Sequence, residues 1–275
     1  MKTTRKLLIV ITIALLLFST KTFAQEDAPK GPEYITVTTM HWNMEYKDFD
    51  KDTWIAVEKE FLDKVTKKNE YIVGAGFYWH RYTPDNREVV YVQSFASWED
   101  INKAGERNNE LIEQAWPDED ARDLFFKKQS AYYSNFHSDE IYATIPGAKL
   151  PTAPMDKEMI TYVRVSHFAF PEDGTQKEFK ELRMEGTKKI IHQNEHIKAY
   201  FPSVHAWGAD RTEFVEVFYL DSEADLDKMF NRSAELVKAA WPDDDARKER
   251  GKKMGKYFTG VHGDYIYTFI PELSK

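Results

Sequence analysis

The sequence repeats itself at a fixed interval of 125 residues, and this duplication restricts the possible folds more than any other feature. The octapeptide AWPDEDAR starts at Ala115, and AWPDDDAR starts at Ala240. Residues 35–146 overlay on residues 160–271 without a gap, with 35 identical pairs among 112. A match of this length indicates that a whole folding unit is duplicated.

The octapeptide itself is typical of a junction between two helices. Pro117 suits a chain reversal after one helix, and Asp118 suits the N-cap of the next. We expect Trp116 to fill the junction and Arg122 to pair with an acid. The alternative is a calcium site, but the segment lacks the regular oxygen spacing and the central glycine of a calcium loop.

Each copy alternates between strand and helix patterns. A helix from Thr53 carries an apolar stripe at helical spacing, and Ser97 followed by Asp100 predicts the start of a second helix. Runs rich in Val, Tyr, Phe and Trp predict strands, which in the first copy cover residues 35–42, 71–82, 88–95 and 140–145. The order per copy is therefore β-α-β-β-α-β, with a short extra helix before the last strand.

This order is that of a ferredoxin-like unit. With its length and extra helix, the unit resembles those of the dimeric α/β-barrel superfamily, in which two such units pack sheet to sheet, usually as a homodimer. The resemblance implies an α+β fold in which two tandem repeats form a pseudo-dimeric α/β barrel. It also implies a choice among small monooxygenases, haem-degrading and haem-binding enzymes, cyclases, isomerases and plain ligand binders, and a shared fold does not decide between them.

The first residues predict export. Lys2, Arg5 and Lys6 precede an apolar run of about a dozen residues, and a Thr-Phe-Ala sequence ending at Ala24 resembles a signal-peptidase site. The apolar run is shorter than the roughly 20 residues of a membrane span. We therefore expect a chain that starts near Gln25 in the periplasm or outside the cell, and not an uncleaved anchor.

Charge and cysteine content exclude several classes of function. The predicted signal peptide contains four basic residues and no acid, so its removal lowers the formal net charge from −8 to −12. A strongly acidic protein repels phosphate backbones and anionic lipid surfaces, which argues against nucleic acid and membrane partners. The chain has no cysteine, so thiol catalysis, disulfides and cysteine metal sites are excluded.

These observations divide the chain into six segments. They are a signal peptide at 1–24, an N-terminal tail at 25–34, a first repeat at 35–146, a linker at 147–159, a second repeat at 160–271 and a C-terminal tail at 272–275. The duplication predicts a pseudo-dimer within one chain and leaves further homo-oligomerisation open.

Two histidines that recur at the repeat interval are the candidate catalytic residues. His80 matches His205, each on a predicted strand. A histidine on a sheet face can act as an acid or base or orient a ligand, but it can equally be a hydrogen-bonded core residue. The gapless overlay leaves four histidines without a counterpart, namely His41, His167, His192 and His196.

A wider set of polar and aromatic residues forms the candidate ligand-binding set. Aromatic residues make up 15% of the chain, a density that suits a pocket for a flat apolar molecule or, equally, a core between sheets. The candidates are Tyr78, Arg81, Tyr82, Tyr132, His137, Trp207, Tyr257 and His262.

No motif identifies a cofactor or a metal site. HQNEH at 192–196 matches a metalloprotease pattern, but the first copy reads KKNEY there and a strand is predicted directly after it. The sequence lacks the usual phosphate-binding and serine-hydrolase motifs. We therefore predict no metal site and leave the cofactor unknown.

The leading hypothesis is an exported protein that binds a small apolar or aromatic molecule. The alternative is a cofactor-independent monooxygenase, isomerase or cyclase that uses His80 or His205 as acid or base, and haem binding is the weaker alternative. Exchanges such as Phe61 for Gly186 at equivalent positions predict that one repeat holds the larger pocket.

Overall fold

The computed structural model describes residues 31–275, so the predicted signal peptide lies outside the described residues. The strands are β1 Tyr34–Trp42, β2 Gly74–Tyr82, β3 Glu88–Phe95, β4 Tyr133–Thr144, β5 Met159–Phe168, β6 Ala199–Trp207, β7 Glu213–Leu220 and β8 Phe258–Ser274. The α-helices are α1 Lys51–Lys64, α2 Trp98–Ala115, α3 Glu119–Ser130, α4 Gln176–Gly186, α5 Ala224–Ala240 and α6 Asp244–Gly255. A 3₁₀ turn at Thr66–Lys68 follows α1, and a π-helical turn at Thr187–Ile191 follows α4.

All eight strands form one closed antiparallel barrel in the order β1-β3-β2-β8-β5-β7-β6-β4. Each repeat supplies four neighbouring strands, and its two outer strands pair with the other repeat. Tyr78 of β2 lies opposite Phe269 of β8, and Tyr142 of β4 lies opposite His205 of β6. This arrangement confirms the predicted α+β fold of two ferredoxin-like repeats in a pseudo-dimeric α/β barrel.

The two faces of the sheet carry different cores. Tyr78, Tyr219 and Phe269 pack together inside the barrel, where side chains of both repeats meet. Trp54 and Val57 of α1 pack on the opposite, outer face. Successive side chains alternate between the faces of a strand, so one repeat builds half of a shared interior and a helix-covered core of its own.

Three predicted segment boundaries differ from the structure because pairing extends the strands. β8 continues through Ser274, and the backbone amide of Lys275 donates to the Ala75 carbonyl at 2.9 Å, so the expected C-terminal tail belongs to the barrel. Lys149 of the expected linker bridges to Tyr200, and Met159 already belongs to β5. Tyr34, the last residue of the expected N-terminal tail, already belongs to β1.

The gapless overlay is wrong in the first strand of each repeat. In the first repeat Val37 lies opposite Val92. In the second repeat Val217, which follows Val92 by 125 residues, lies opposite Val163, which follows Val37 by 126. The loop before the first helix is eight residues long at 43–50 but seven at 169–175. With an offset of 126 in this strand, His41 and His167 become equivalent, contrary to the prediction that they have no counterpart.

The equivalent histidines make similar contacts. His41 Nε2 lies 3.6 Å from Asp85 Oδ2, and His167 Nδ1 lies 3.1 Å from Asp210 Oδ2. Asp85 and Asp210 are themselves equivalent at the 125-residue interval. The repeated histidine–aspartate pair therefore joins the end of the first strand of each repeat to the turn before its third.

The octapeptide is a helix junction, as its composition predicts. The side chain of Asp118 accepts a hydrogen bond from the Ala121 amide at 2.8 Å, and Asp243 accepts from the Ala246 amide at 2.7 Å. Trp116 is buried. Arg122, expected to pair with an acid, instead donates to the Trp116 carbonyl at 3.3 Å. The repeated acids thus satisfy free amides at the starts of α3 and α6.

Within residues 31–275, no helix has the length and apolarity needed to cross a membrane. The same residues contain no cluster of three or more histidine and acidic side chains arranged to hold a metal ion.

Replacement of either capping aspartate should destabilise the fold. We expect Asp118→Ala and Asp243→Ala each to lower the free energy of unfolding by about 1 kcal/mol, because each leaves a helix-start amide without its acceptor. Urea unfolding of the two variants and of Asp120→Ala measures the effect. Asp120 lies in the first turn without capping it, so an equal loss in all three would contradict the capping role.

Candidate functional site

Each repeat contains a cavity between its helices and the outer face of the barrel. Cavity 1, in the first repeat, has a volume of about 510 Å³. Its lining residues are Met40, Glu58, Phe61, Leu62, Thr66, Phe77, Tyr91, Phe126, Lys127, Gln129, Ser130 and Tyr133. Cavity 2, in the second repeat, has a volume of about 410 Å³ and is lined by α4, α5, α6 and the strands beneath them. Both volumes suit a small organic molecule.

Cavity 1 is largely apolar and contains one buried acid, Glu58. This residue lies on α1 and is only 4% exposed. Tyr133 donates its hydroxyl to Glu58 Oε1 at 2.7 Å, and Gln129 Nε2 donates to Glu58 Oε2 at 2.9 Å. The Tyr133 hydroxyl in turn accepts from Trp54 Nε1 at 2.8 Å. The carboxyl group is therefore held in one position by residues from α1, α3 and β4.

Burial raises the pKa of Glu58 to about 7, although the hydrogen bonds from Tyr133 and Gln129 favour its ionised form. Removal from water disfavours the charged carboxylate, and this effect exceeds that of the two donors. A carboxyl group with such a pKa is present in both protonation states at neutral pH. It can therefore donate a proton to a bound molecule or accept one from it.

Cavity 2 has the opposite chemical character at equivalent positions. Arg183 occupies the position of Glu58, and Glu216 occupies the position of Tyr91. Arg183 is 6% exposed, and Glu216 accepts a hydrogen bond from the Tyr200 hydroxyl at 2.6 Å. Burial raises the pKa of Glu216. The same framework thus presents a carboxyl group from α1 and a guanidinium group from α4.

The two cavities are close in volume, at about 510 and 410 Å³, so the size difference that the sequence exchanges predict stays a prediction. The Phe61–Gly186 exchange does not make cavity 2 the larger one, although the glycine lies there. The reversal of charge between Glu58 and Arg183 separates the two sites more clearly than their volumes.

The candidate catalytic histidines line neither cavity. His80 lies on the interior side of β2, where its Nδ1 is 2.8 Å from Thr83 Oγ1. His205 lies on β6, and its buried Nε2 has no hydrogen-bond partner among the described residues. On the neighbouring strands, Tyr267 lies opposite His80 and Tyr142 lies opposite His205.

Tyr142 and Tyr267 are each hydrogen-bonded to a glutamate, which adds polar groups beside the two histidines. Tyr142 donates to Glu213 at 2.7 Å, and Tyr267 donates to Glu88 at 3.3 Å. Burial raises the pKa of Glu213. Each repeated histidine therefore lies near a tyrosine–glutamate pair formed by residues of both repeats.

The candidate ligand-binding residues do not form one site. Tyr78 is inside the barrel, and its hydroxyl lies 2.5 Å from that of Tyr219. Arg81 pairs with Glu223, and Tyr82 and Trp207 are exposed.

The repeated residues of this set also lie apart. Tyr132 is buried, and its hydroxyl has no hydrogen-bond partner within residues 31–275, whereas Tyr257 is buried and bonded to Glu178. His137 is exposed beside Asp139. His262 lines cavity 2, and the other members of the set line neither cavity 1 nor cavity 2.

Sequence reasoning missed Glu58, although a signal was present. The apolar stripe of α1 includes Trp54, Val57 and Phe61, and Glu58 follows Trp54 by four residues. Residues four apart lie on the same face of a helix, so an acid stands within the buried stripe. A buried acid on such a stripe requires hydrogen-bond partners and is a candidate site residue.

The lining of cavity 1 offers no histidine to hold a haem iron. Haem proteins hold the iron through histidine, cysteine, methionine or tyrosine. The residues of these types in cavity 1 are Met40, Tyr91 and Tyr133, and the Tyr133 hydroxyl is bonded to Glu58. In cavity 2, His262 lies 2.9 Å from Asp264 and is 39% exposed, so an iron ligand there would stand at the open rim.

Comparisons with solved structures find the same fold at low sequence identity. A suspected monooxygenase from Lactobacillus acidophilus has a TM-score of 0.52 at 8% identity, over 89% of this chain and 96% of its own. A suspected monooxygenase from Fusobacterium nucleatum has a TM-score of 0.52 at 7% identity, over 87% of this chain and 93% of its own. A mutant chlorite dismutase from Candidatus Nitrospira defluvii has a TM-score of 0.53 at 11% identity, over 88% of this chain and 93% of its own.

No family model matches the chain, and no curated protein sequence matches it. The structural likeness shows the dimeric α/β-barrel fold alone, and the predicted resemblance to that superfamily is confirmed at this level.

The pKa of Glu58 predicts a pH-dependent difference in stability between the wild type and Glu58→Gln. The folded protein keeps the Glu58 proton up to about pH 7, whereas the unfolded chain releases it near 4.5. The wild type should therefore lose up to about 3 kcal/mol relative to the variant as pH rises from about 4.5 to above 7. Urea unfolding at pH 5 and pH 8 measures this difference, and a pH-independent difference would contradict the raised pKa.

Proposed function

We propose that the protein binds a small, mostly apolar molecule in cavity 1 and that Glu58 forms the polar contact that orients it. We also propose that it does so after export, since the predicted signal peptide supports a periplasmic or extracellular location. The observation that carries the binding proposal is a single buried carboxyl group, fixed by two donors, in an otherwise largely apolar cavity.

The lining of cavity 1 supports this ligand class. Phe61, Phe77 and Phe126 offer flat apolar surface, and Met40 and Leu62 extend it. Cavities that bind small molecules combine such surface with a few fixed polar groups. An aromatic molecule with one hydroxyl group would bury its ring against these side chains and donate its proton to Glu58.

A second candidate function is proton transfer without a cofactor, and the raised pKa of Glu58 favours it. A base with a pKa near neutrality can remove a proton from carbon and return it at a neighbouring position. This assignment replaces the strand histidines with Glu58 as the acid or base, because neither His80 nor His205 lines the cavity. The fold shared with suspected monooxygenases is compatible with such chemistry but does not select it.

The binding proposal predicts selective binding of 1-naphthol over naphthalene. Calorimetric titration of the wild type should show a preference of about tenfold, the value of one added hydrogen bond, and Glu58→Leu should remove the preference. Met40→Trp places an indole ring in cavity 1 and should weaken binding. Ser166→Trp is the matched control, because Ser166 occupies the equivalent position in cavity 2. Unchanged naphthol binding by Met40→Trp would refute the proposed location.

The proton-transfer candidate predicts exchange of carbon-bound hydrogen in 2-tetralone. The Glu58 carboxylate would take a proton from the carbon beside the carbonyl, and the carboxyl group, after exchange with heavy water, would return a deuteron. Proton NMR in heavy water should show faster exchange with the wild type than in buffer, with a rate that rises as pH passes 7. Exchange by Glu58→Gln equal to that of the wild type would exclude this role.

A further inference from the structure

Cavity 2 contains a buried cationic group that the protein does not fully satisfy. Arg183 is 6% exposed, and its Nη2 donates to the Pro146 carbonyl. Its Nη1 is buried and has no hydrogen-bond partner among the described residues. A buried donor without an acceptor destabilises the fold, and a charged donor does so more strongly. Such a group therefore favours any ligand that brings an acceptor to it.

The other charged residues of cavity 2 add to a positive surface. Arg164 and Arg250 line the cavity with Arg183, whereas Glu216 is the carboxylate in the lining. The Tyr200 hydroxyl already donates to Glu216, at 2.6 Å. Arg250 donates to the Leu182 carbonyl at 2.7 Å and pairs with Glu185 at 3.2 Å. Arg183 and Arg164 are therefore the arginines of the lining that are more available to a ligand.

Arg164 lies opposite Glu216 across β5 and β7, and its Nε is 3.9 Å from Asp264 Oδ1, which is too long for a hydrogen bond. It reaches the cavity from β5, opposite the helix that carries Arg183. An anion between the two arginines would therefore meet a donor from the sheet and a donor from the helix. Leu182, Ile190, Phe214 and Val237 supply apolar surface, beside polar lining residues that include Ser166, Thr187 and His262.

We propose that cavity 2 is a second binding site, specific for a small organic carboxylate. One carboxylate oxygen accepts from Arg183 Nη1, the negative charge is balanced by Arg164, and the carbon skeleton packs on the apolar wall. Arginine is suited to this role because its planar donors match the geometry of a carboxylate. The inference concerns a site other than cavity 1 and does not depend on the ligand bound there.

The test compares benzoate with benzamide, which has the same shape without the charge. Calorimetric titration of the full chain at pH 7 should show that benzoate binds at least tenfold more tightly than benzamide. Arg183→Gln should weaken benzoate by about tenfold or more and leave benzamide unchanged, and Arg183→Lys should restore only part of the affinity because it lacks the planar donors. Equal binding of benzoate and benzamide, or no binding of benzoate at millimolar concentration, would overturn the proposal.

Two further variants keep the test decisive if Arg183→Gln does not fold. Ser166→Trp places an indole ring in cavity 2 and should weaken benzoate binding, whereas Met40→Trp places one in cavity 1 and should leave benzoate binding intact. A separate titration uses inorganic phosphate, which carries negative charge without an apolar skeleton. Phosphate that binds as tightly as benzoate would show a general anion site and would overturn the assignment to organic carboxylates.

Discussion

The structure depends on hydrogen bonding between the outer strands of the two repeats. A four-stranded ferredoxin-like sheet has two open edges, and an exposed edge invites pairing with other chains. Here β2 pairs with β8 and β4 with β6, so each repeat covers the edges of the other. Closure also creates the shared interior around Tyr78 and Phe269, which neither sheet could bury alone. The helices are left on the outside, where they form the roofs of two separate cavities.

The repeats have kept the contacts that build the framework and changed those that face the cavities. Asn69 and Asn194 are both fully buried, and each donates to a helix carbonyl at 2.9 Å. By contrast, Glu58 and Arg183 differ in charge at the same helix position. A buried polar group is costly without partners, and Glu58 has Tyr133 as one of its partners in the first repeat.

The fold could be predicted from the sequence because the duplication and the local signals agree. Ser97 and Asp118 mark helix starts, and the strand patterns give the order of elements. The histidine pairing could not be predicted from a gapless overlay, because the one-residue difference in loop length shifts the first strand and conceals the equivalence of His41 and His167. Glu58 was visible on an apolar helix face, but its bond to Tyr133 depends on packing between segments 75 residues apart.

Fusion of the two repeats in one chain has a consequence for how the sites can evolve. In a symmetric homodimer one codon specifies both copies of every residue, so an acid introduced into one cavity enters the other as well. Here Glu58 and Arg183 are encoded separately, so a substitution in one cavity leaves the other cavity unchanged. The barrel can therefore carry two chemically opposite sites in a fixed ratio of one to one, an asymmetry that assembly from identical subunits cannot produce.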